Sequence, residues 1–494
     1  MKILAIILLI FCTAFAQIDD TANNTVNDRN LGQSQGIAPT ADPRRDDHRG
    51  RSDAIILSLE EALNMAVNGN PLLAIERIRT DIARTIIRER QYAFEPTITA
   101  TYSAQEPFFD HNRASIALSQ TAPTGTNIEL STRGATWAAP RDSNATARIT
   151  ITQSLLQGLG TRVNLAPVRR ARIDLEISQE ELSAYAQRLF AEVERSYWAL
   201  MLSNKELQIF EYSLELANRL LFEAEQRLNA GTVAPIDLIT IRAEVASREK
   251  QLFDAQIARE QRSLNLAFLI NAPQFFDKEI ILSDSTLTLG EADNLEDHIL
   301  AAQEFRQDLR QANLLAERGE LDLIQTKNGL LPRLDFFIAL EGTSPNETFA
   351  IFPNDSDPRF SAGLQLQFPI TSGAARQRHR AAQYTSQQRQ LAISNFSRLI
   401  DFEIRSAHLE VSRAHRQIET AQLVSTLQKQ KLEAEQEKLR VGRSTGYAVL
   451  QVQRDVVSAN LDEARARIAY IEALLSLYSR DATLLARRGV SGHR

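Results

Sequence analysis

The sequence predicts a mainly helical fold with a smaller β part, built twice from one unit of helix, strand pair and long helical hairpin. Three observations carry this. First, Leu207, Phe210, Leu214, Ala217, Leu221, Ala224 and Leu228 recur at alternating spacings of 3 and 4. That 3.5-residue period marks a helix supercoiled left-handedly on a neighbour. The helix it sits in, 165–230, would span roughly 100 Å at about 1.5 Å per residue. Second, six short stretches switch to a period of 2, as strands do. Third, the second half replays the first. Asn70-Pro71-Leu72 matches Gln307-Asp308-Leu309, Pro96 matches Pro332, and Gly231 matches Gly442.

Taken in order, the chain opens on a secretory signal over 1–16: Lys2, an apolar core from Ile3 to Phe11, then Ala14-Phe15-Ala16 as a cleavage site. The apolar run is too short to span a bilayer. The single cysteine, Cys12, lies inside it, and Phe11 before it fits a lipid-attachment site poorly. The mature chain, from Gln17, is therefore expected to hold no disulfide. Residues 17–56 are a polar, disordered leader. Its Arg44–Arg51 block contains Asp46 and Asp47 and reads as a solvated tail rather than a basic contact patch.

The first repeat is expected over 57–303. Ser58 with Glu61 has capping-box spacing, and Leu59, Ala62, Leu63 and Ala66 form the apolar face of the helix that follows. Asn70-Pro71 interrupts it. The next helix runs to Phe94, with Ile75, Ile78, Ile82 and Ile86 turned inward. Strands follow over 97–153. Ile98, Ala100 and Tyr102 alternate with Thr97, Thr99 and Thr101, and Ala147, Ile149 and Ile151 alternate with Thr146, Arg148 and Thr150. Between them a hairpin, 114–132, turns at Pro123-Thr124-Gly125. A long helical hairpin over 162–272 closes the repeat, with a short strand at Ile280–Leu282 and a short helix from Leu295 beyond it.

The second repeat spans 304–486, with strands over 333–368 and a hairpin over 373–485; residues 487–494 are a tail. Leu334, Phe336, Ile338 and Leu340 alternate with Asp335, Phe337, Ala339 and Glu341. Its heptads are fainter: Ser425, Gln428 and Glu435 stand where the first copy has Leu214, Ala217 and Ala224.

Such strands suit a half-buried soluble sheet, and also a membrane barrel with apolar residues toward lipid. Alternation alone favours the soluble sheet. A few strands per chain cannot close a barrel, so strands in a membrane would require several chains to share one. Composition is that of an ordinary folded protein, 43% hydrophobic and 24% charged. The net charge of −6 gives no reason to expect nucleic acid. No phosphate loop or nucleophile motif is present. The seven histidines lack ligand spacing; His408 and His415, seven apart on one helix, read as solvated positions rather than a metal pair. No enzyme, cofactor or metal is expected.

In this order, and twice over, the motifs resemble the outer-membrane efflux proteins of the TolC type. The resemblance covers about 57–485. It rests on Leu57-Ser58-Leu59-Glu60-Glu61-Ala62-Leu63 with Asn70-Pro71, Leu330-Leu331-Pro332 before a strand, the Gln153–Gly160 exit into the helix, Asn164-Leu165-Ala166-Pro167, and the paired glycine turns. It implies a homotrimer in which a trimeric α-helical barrel continues into a shared membrane β-barrel. The helices would extend into the periplasm from the outer membrane and its lipid. It further implies passive export of drugs, small toxic molecules or secreted proteins, as the duct of a tripartite efflux or type I secretion system. An inner-membrane transporter would drive export through a periplasmic adaptor protein. The competing reading is a soluble periplasmic coiled-coil scaffold. Two strand pairs per chain would put twelve strands in a trimer, and eighteen if the 114–132 hairpin joins the wall.

The turns are the expected functional points. Gly231 and Gly442 fit the left-handed position that ends a helix, Pro235 the first position of the next, and Asp237 its positive end. On the resemblance they lie at the periplasmic aperture. Where the family often carries acidic residues after the second turn, this chain has Ala448 and Gln451, which leaves Asp237 as the acidic candidate. Arg440 and Arg443 either pair between helices or complement the end of the helix they close.

Overall fold

The computed structural model describes residues 55–103, 113–135, 144–230, 234–276, 278–283, 294–345 and 358–489. The signal segment, nearly all of the polar leader, Gly231 and residues 490–494 lie outside these.

The first repeat begins with strand β1 (Ile55–Leu57), so the chain is ordered two residues before the polar leader was expected to end. Helix α1 (Leu59–Gly69) starts with both arms of the capping box: Ser58 Oγ accepts from Glu61 N at 3.2 Å, and Glu61 Oε2 accepts from Ser58 N at 2.9 Å. Helix α2 (Pro71–Tyr92) follows at once. Pro71 has no N–H to lose there, and Asn70 Oδ1 accepts from the amides of Leu72 and Leu73. Strands β2 (Thr97–Ser103), β3 (Arg113–Thr121), β4 (Thr126–Ala135) and β5 (Asn144–Ser154) come next. A single turn, α3 (Thr161–Asn164), leads into the 64-residue α4 (Ala166–Asn229), with Pro167 in its first turn. Helix α5 (Pro235–Leu269) returns. Strand β6 (Ile280–Leu282) pairs in parallel with β1 as a separate two-stranded sheet.

The second repeat runs α6 (Leu295–Phe305), α7 (Gln307–Asn328), β7 (Arg333–Pro345), β8 (Arg359–Gln367), the 68-residue α8 (Gly373–Arg440), α9 (Gly446–Arg480) and α10 (Leu484–Arg487). The strands of both repeats form one antiparallel sheet in the order β2-β3-β4-β5-β7-β8. The 114–132 hairpin thus lies inside the sheet.

Three apolar clusters hold the helices together. The first gathers α1, α4, the end of α5, β1 and β6 around Tyr197, Leu200, Leu266, Ile270 and Ile280. The second joins α6, α8 and α9 through Ile400, Ile404 and Leu477. Near it, His298 Nδ1 and Asp481 Oδ2 lie 2.6 Å apart, both buried, and Asp481 Oδ1 also accepts from Thr483. The third cluster, at the turns, combines Leu220, Ala224, Leu238 and Ile241 of the first hairpin with Leu432, Leu439, Val449, Leu450, Val452 and Val456 of the second.

The heptad seam of α4 is half-buried to buried along its length, with Ser213 and Leu220 completing it. In α8 two of the three polar residues at matching positions are bonded: Ser425 Oγ donates to Asn460 Oδ1 at 2.9 Å, and Glu435 accepts from Ser444 and Lys438, while the buried Oε1 of Gln428 has no partner. One expectation fails within the chain. Ile75, Ile78, Ile82 and Ile86 of α2 are exposed, because α2 packs on α4 through Leu73 and Thr80 instead.

Candidate functional site: the amphipathic sheet and the helical turns

Register fixes the two faces of the sheet. Ladder partners run Ile98–Leu118–Leu130–Ile149–Leu340–Phe360 across all six strands. The row below it includes Ile128–Ile151–Ile338–Ala362. One face is therefore apolar from edge to edge. The other carries Thr97, Thr99, Thr101, Ser115, Ser119, Glu129, Ser131, Thr150, Thr152, Ser361 and Gln365, with an Arg148–Glu341 ion pair between β5 and β7.

A water-soluble sheet would cover its apolar face. This one leaves Ile98 (74% exposed), Tyr102, Ile116, Ile128, Ile151, Leu340, Phe360, Leu364 and Leu366 open, although Thr132, Ala145 and Ser344 toward the far end are buried. The soluble-sheet reading fails on that count. Strands β3, β4, β5, β7 and β8 have 9–13 residues, enough for a tilted membrane strand. Exposed aromatics stand at both ends of the face, Tyr102 and Phe360 far from the helices, Phe336 and Phe368 near them. That is the girdle pattern of membrane barrels. No helix among the described residues is long and apolar enough to cross a membrane.

At the sheet's helix-side end, the sequence's glycines and amides join strands to helices. Gly125 has φ +87°, and a Cβ there would lie 2.3 Å from Gly158 O, so only glycine fits. Asn164 Nδ2 donates to the carbonyls of Pro123 and Gly158, and Gly160 N donates to Thr124 O. Asp335 accepts from Ser154 Oγ at 3.0 Å and from Arg333 Nε at 2.6 Å, holding β5 to β7.

At the other end lie the turns. Gly442 (φ +75°) sits just past α8, where its N–H donates to Leu439 O and the N–H of Arg443 donates to Lys438 O. These two bonds are a Schellman motif, which requires a left-handed residue at this place. Thr445 then caps α9 by accepting from Ala448 N at 3.2 Å. Gln451 is exposed one turn on. Pro235 begins α5, with Asp237 exposed in its first turn, near the helix's positive end. Arg440 pairs with Glu437 on its own helix at 2.8 Å, both side chains exposed. Arg443 enters the turn through its backbone. The Ser444 hydroxyl bonded to Glu435, with Lys438 beside it, draws that carboxyl below its ordinary range.

One group behind the turns was not anticipated from the sequence. Glu244 of α5 is buried and accepts from Arg248 Nε at 2.8 Å and from Arg454 Nη2 of α9 at 2.5 Å. Arg248, also buried, reaches Ser213 Oγ of α4 at 2.7 Å. Burial pushes the Glu244 carboxyl up, but Arg454 and Arg248 outweigh it and the net shift is down. The Glu244–Arg248 spacing of four was visible as a same-helix pair; the partner on α9 required the fold. No cluster of three or more metal-ligating side chains occurs among the described residues.

A family model described as outer membrane efflux protein matches residues 62–272 and 299–481. Among curated proteins, none matches this chain by sequence. Three solved channels are similar in fold. The outer membrane protein VceC from Vibrio cholerae superposes with a TM-score of 0.65 at 15% identity, covering 86% of this chain and 95% of its own. The Campylobacter jejuni CmeC outer membrane channel gives 0.65 at 15% identity, covering 86% and 85%. The Neisseria gonorrhoeae MtrE outer membrane channel, in its open state, gives 0.60 at 17%, covering 86% and 88%. At such identities the likeness establishes the fold. The family match, which takes in most of the chain, establishes the rest: this is an efflux duct of the outer membrane, and the chain belongs to the outer membrane efflux protein family.

Proposed function

We propose that three copies of this chain assemble into one passive export duct. The shared sheet crosses the outer membrane with its apolar face to lipid, and the helical hairpins reach across the periplasm toward an adaptor protein and an inner-membrane transporter that supplies the energy. The observation that carries this is the apolar face open across six strands at the end of helices about 100 Å long. A single chain with free strand edges would leave unpaired backbone groups in hydrocarbon, each costing several kcal/mol. Further copies remove those edges. The exposed isoleucines of α2 and the exposed Phe402, Leu409, Leu423 and Leu427 of α8 supply apolar stripes for contacts between neighbouring copies.

The turns form the periplasmic aperture of this duct. Pro235, Asp237, Gly442, Ala448 and Gln451 surround it, Gly231 lying outside the described residues, and the adaptor docks in grooves beside them. With Ala448 and Gln451 uncharged, the ring of negative charge is limited to Asp237, so selectivity for cations over anions is weak. Purified full-length protein in planar lipid bilayers tests this. Unitary conductance steps with a low cation preference are expected, whereas a folded, inserted protein without conductance would refute the duct.

A further inference from the structure

We propose that the wall in the membrane has eighteen strands, six from each of three copies, with the β3–β4 hairpin as an integral part and β2 of each copy paired antiparallel to β8 of the next. The count rests on the trimer proposed above.

Four observations converge. The hairpin is not appended to the sheet; it separates β2 from β5, and among the described residues β2 has no ladder partner except β3. Its turn is built into the sheet–helix junction through Gly125, Asn164 and Gly160, so it sits at the same level as the feet of β5 and β7. Its faces continue those of its neighbours, with Ile116, Leu118, Ile128 and Leu130 on the apolar side. Finally, β2 and β8 are the free edges of a fully antiparallel six-strand sheet. An even strand number leaves them running oppositely, so closure gives another antiparallel ladder.

The register of that joint follows from the feet of the strands. A line along the ladders from Ile98, one residue above the foot of β2, reaches Phe360, seven residues above the foot of β8. Flush feet place Thr97 opposite Gln367, Thr99 opposite Gln365 and Thr101 opposite Gly363 of the neighbouring copy. Leu366 then meets Ile98 and Leu364 meets Ala100. Polar meets polar and apolar meets apolar, as a two-residue period demands. Each copy then staggers the ladder by six residues, and the ring by as many residues as it has strands. Equal strand number and stagger give a tilt of about 36°. This lies within the ~35–45° of membrane barrels. Barrel diameter grows roughly linearly with strand number, so this wall is about half again as wide as one of twelve strands and encloses an aqueous lumen.

The test uses full-length protein in membranes, with paired substitutions under oxidation. Thr99→Cys with Gln365→Cys is expected to yield covalent trimers on a non-reducing denaturing gel. Thr99→Cys with Ala117→Cys is expected to close within one chain and run as a monomer. Electron cryomicroscopy of the unaltered protein in detergent should show eighteen strands in cross-section. A trimer with twelve strands, with Thr99→Cys linking to Thr150→Cys of β5, would overturn this wall and leave the duct standing. A copy number other than three would overturn both.

Discussion

Removing the Glu244 carboxylate should loosen the joint between the two hairpins more than any other single side-chain truncation near the turns. Glu244 is 6% exposed and Arg248 3% exposed. In Glu244→Ala, Arg248 keeps only Ser213, and its Nη2 already has no partner. A buried charge stripped of its partner costs about 3–5 kcal/mol. Arg454 is half exposed and recovers water, which places the loss near the lower end, about 3 kcal/mol. At about 1.4 kcal/mol per factor of ten, local opening becomes roughly 100-fold more frequent. Hydrogen exchange of the assembled protein in detergent reads this directly. Amides of 240–250 in α5 and 449–456 in α9 should exchange about 100-fold faster, with those around Tyr197 unchanged. Replacing the pair by Glu244→Leu with Arg248→Met should restore most of the protection, since an apolar pair avoids the desolvation cost. Unaltered exchange in Glu244→Ala would refute the reasoning.

The depressed Glu244 carboxyl fixes the sign of a pH effect. A carboxylate held below its unfolded value of about 4.3 stabilises the fold above that pH, and the contribution is lost as pH falls through the lower folded value. Protection of 240–250, corrected for intrinsic exchange, should be flat from about pH 7 to 5 and fall below about pH 4; in Glu244→Gln the acid-dependent part at this site should vanish. Gly442→Val should destabilise the second turn by about 1–2 kcal/mol, the cost of a left-handed non-glycine residue. A Cβ there meets nothing, so Gly442→Asn should be milder in the same thermal-unfolding assay. On β5, Ile149→Arg places a charge toward lipid and should lower membrane insertion by about 2–4 kcal/mol in refolding into liposomes. Thr150→Arg, on the polar face beside Arg148, should insert normally.

Periodicity made the long helices, the strand faces and the duplication legible, because each is a local pattern repeated many times. The capping box of Ser58 and Glu61 and the Schellman position of Gly442 were legible for the same reason: a cap is decided by residues within a turn of each other. What stayed hidden depends on partners far along the chain. The isoleucines of α2 have helical spacing, yet spacing does not say whether the apolar side meets the same chain or another copy. Arg440 suited a neighbouring helix or the end of its own; the fold adds that Glu437 stands beside it one turn back. Alternation alone pointed to a soluble sheet and did not identify lipid as the medium on the apolar side. The six-strand register did, by joining separate apolar stripes into one exposed surface.

Whether these faces and rods belong to a shared cylinder is best measured by native mass spectrometry of the protein extracted from outer membranes. The account predicts that the chain leaves the membrane only with detergent and flies as a complex of three identical copies. Recovery as a single chain in detergent-free buffer would contradict it.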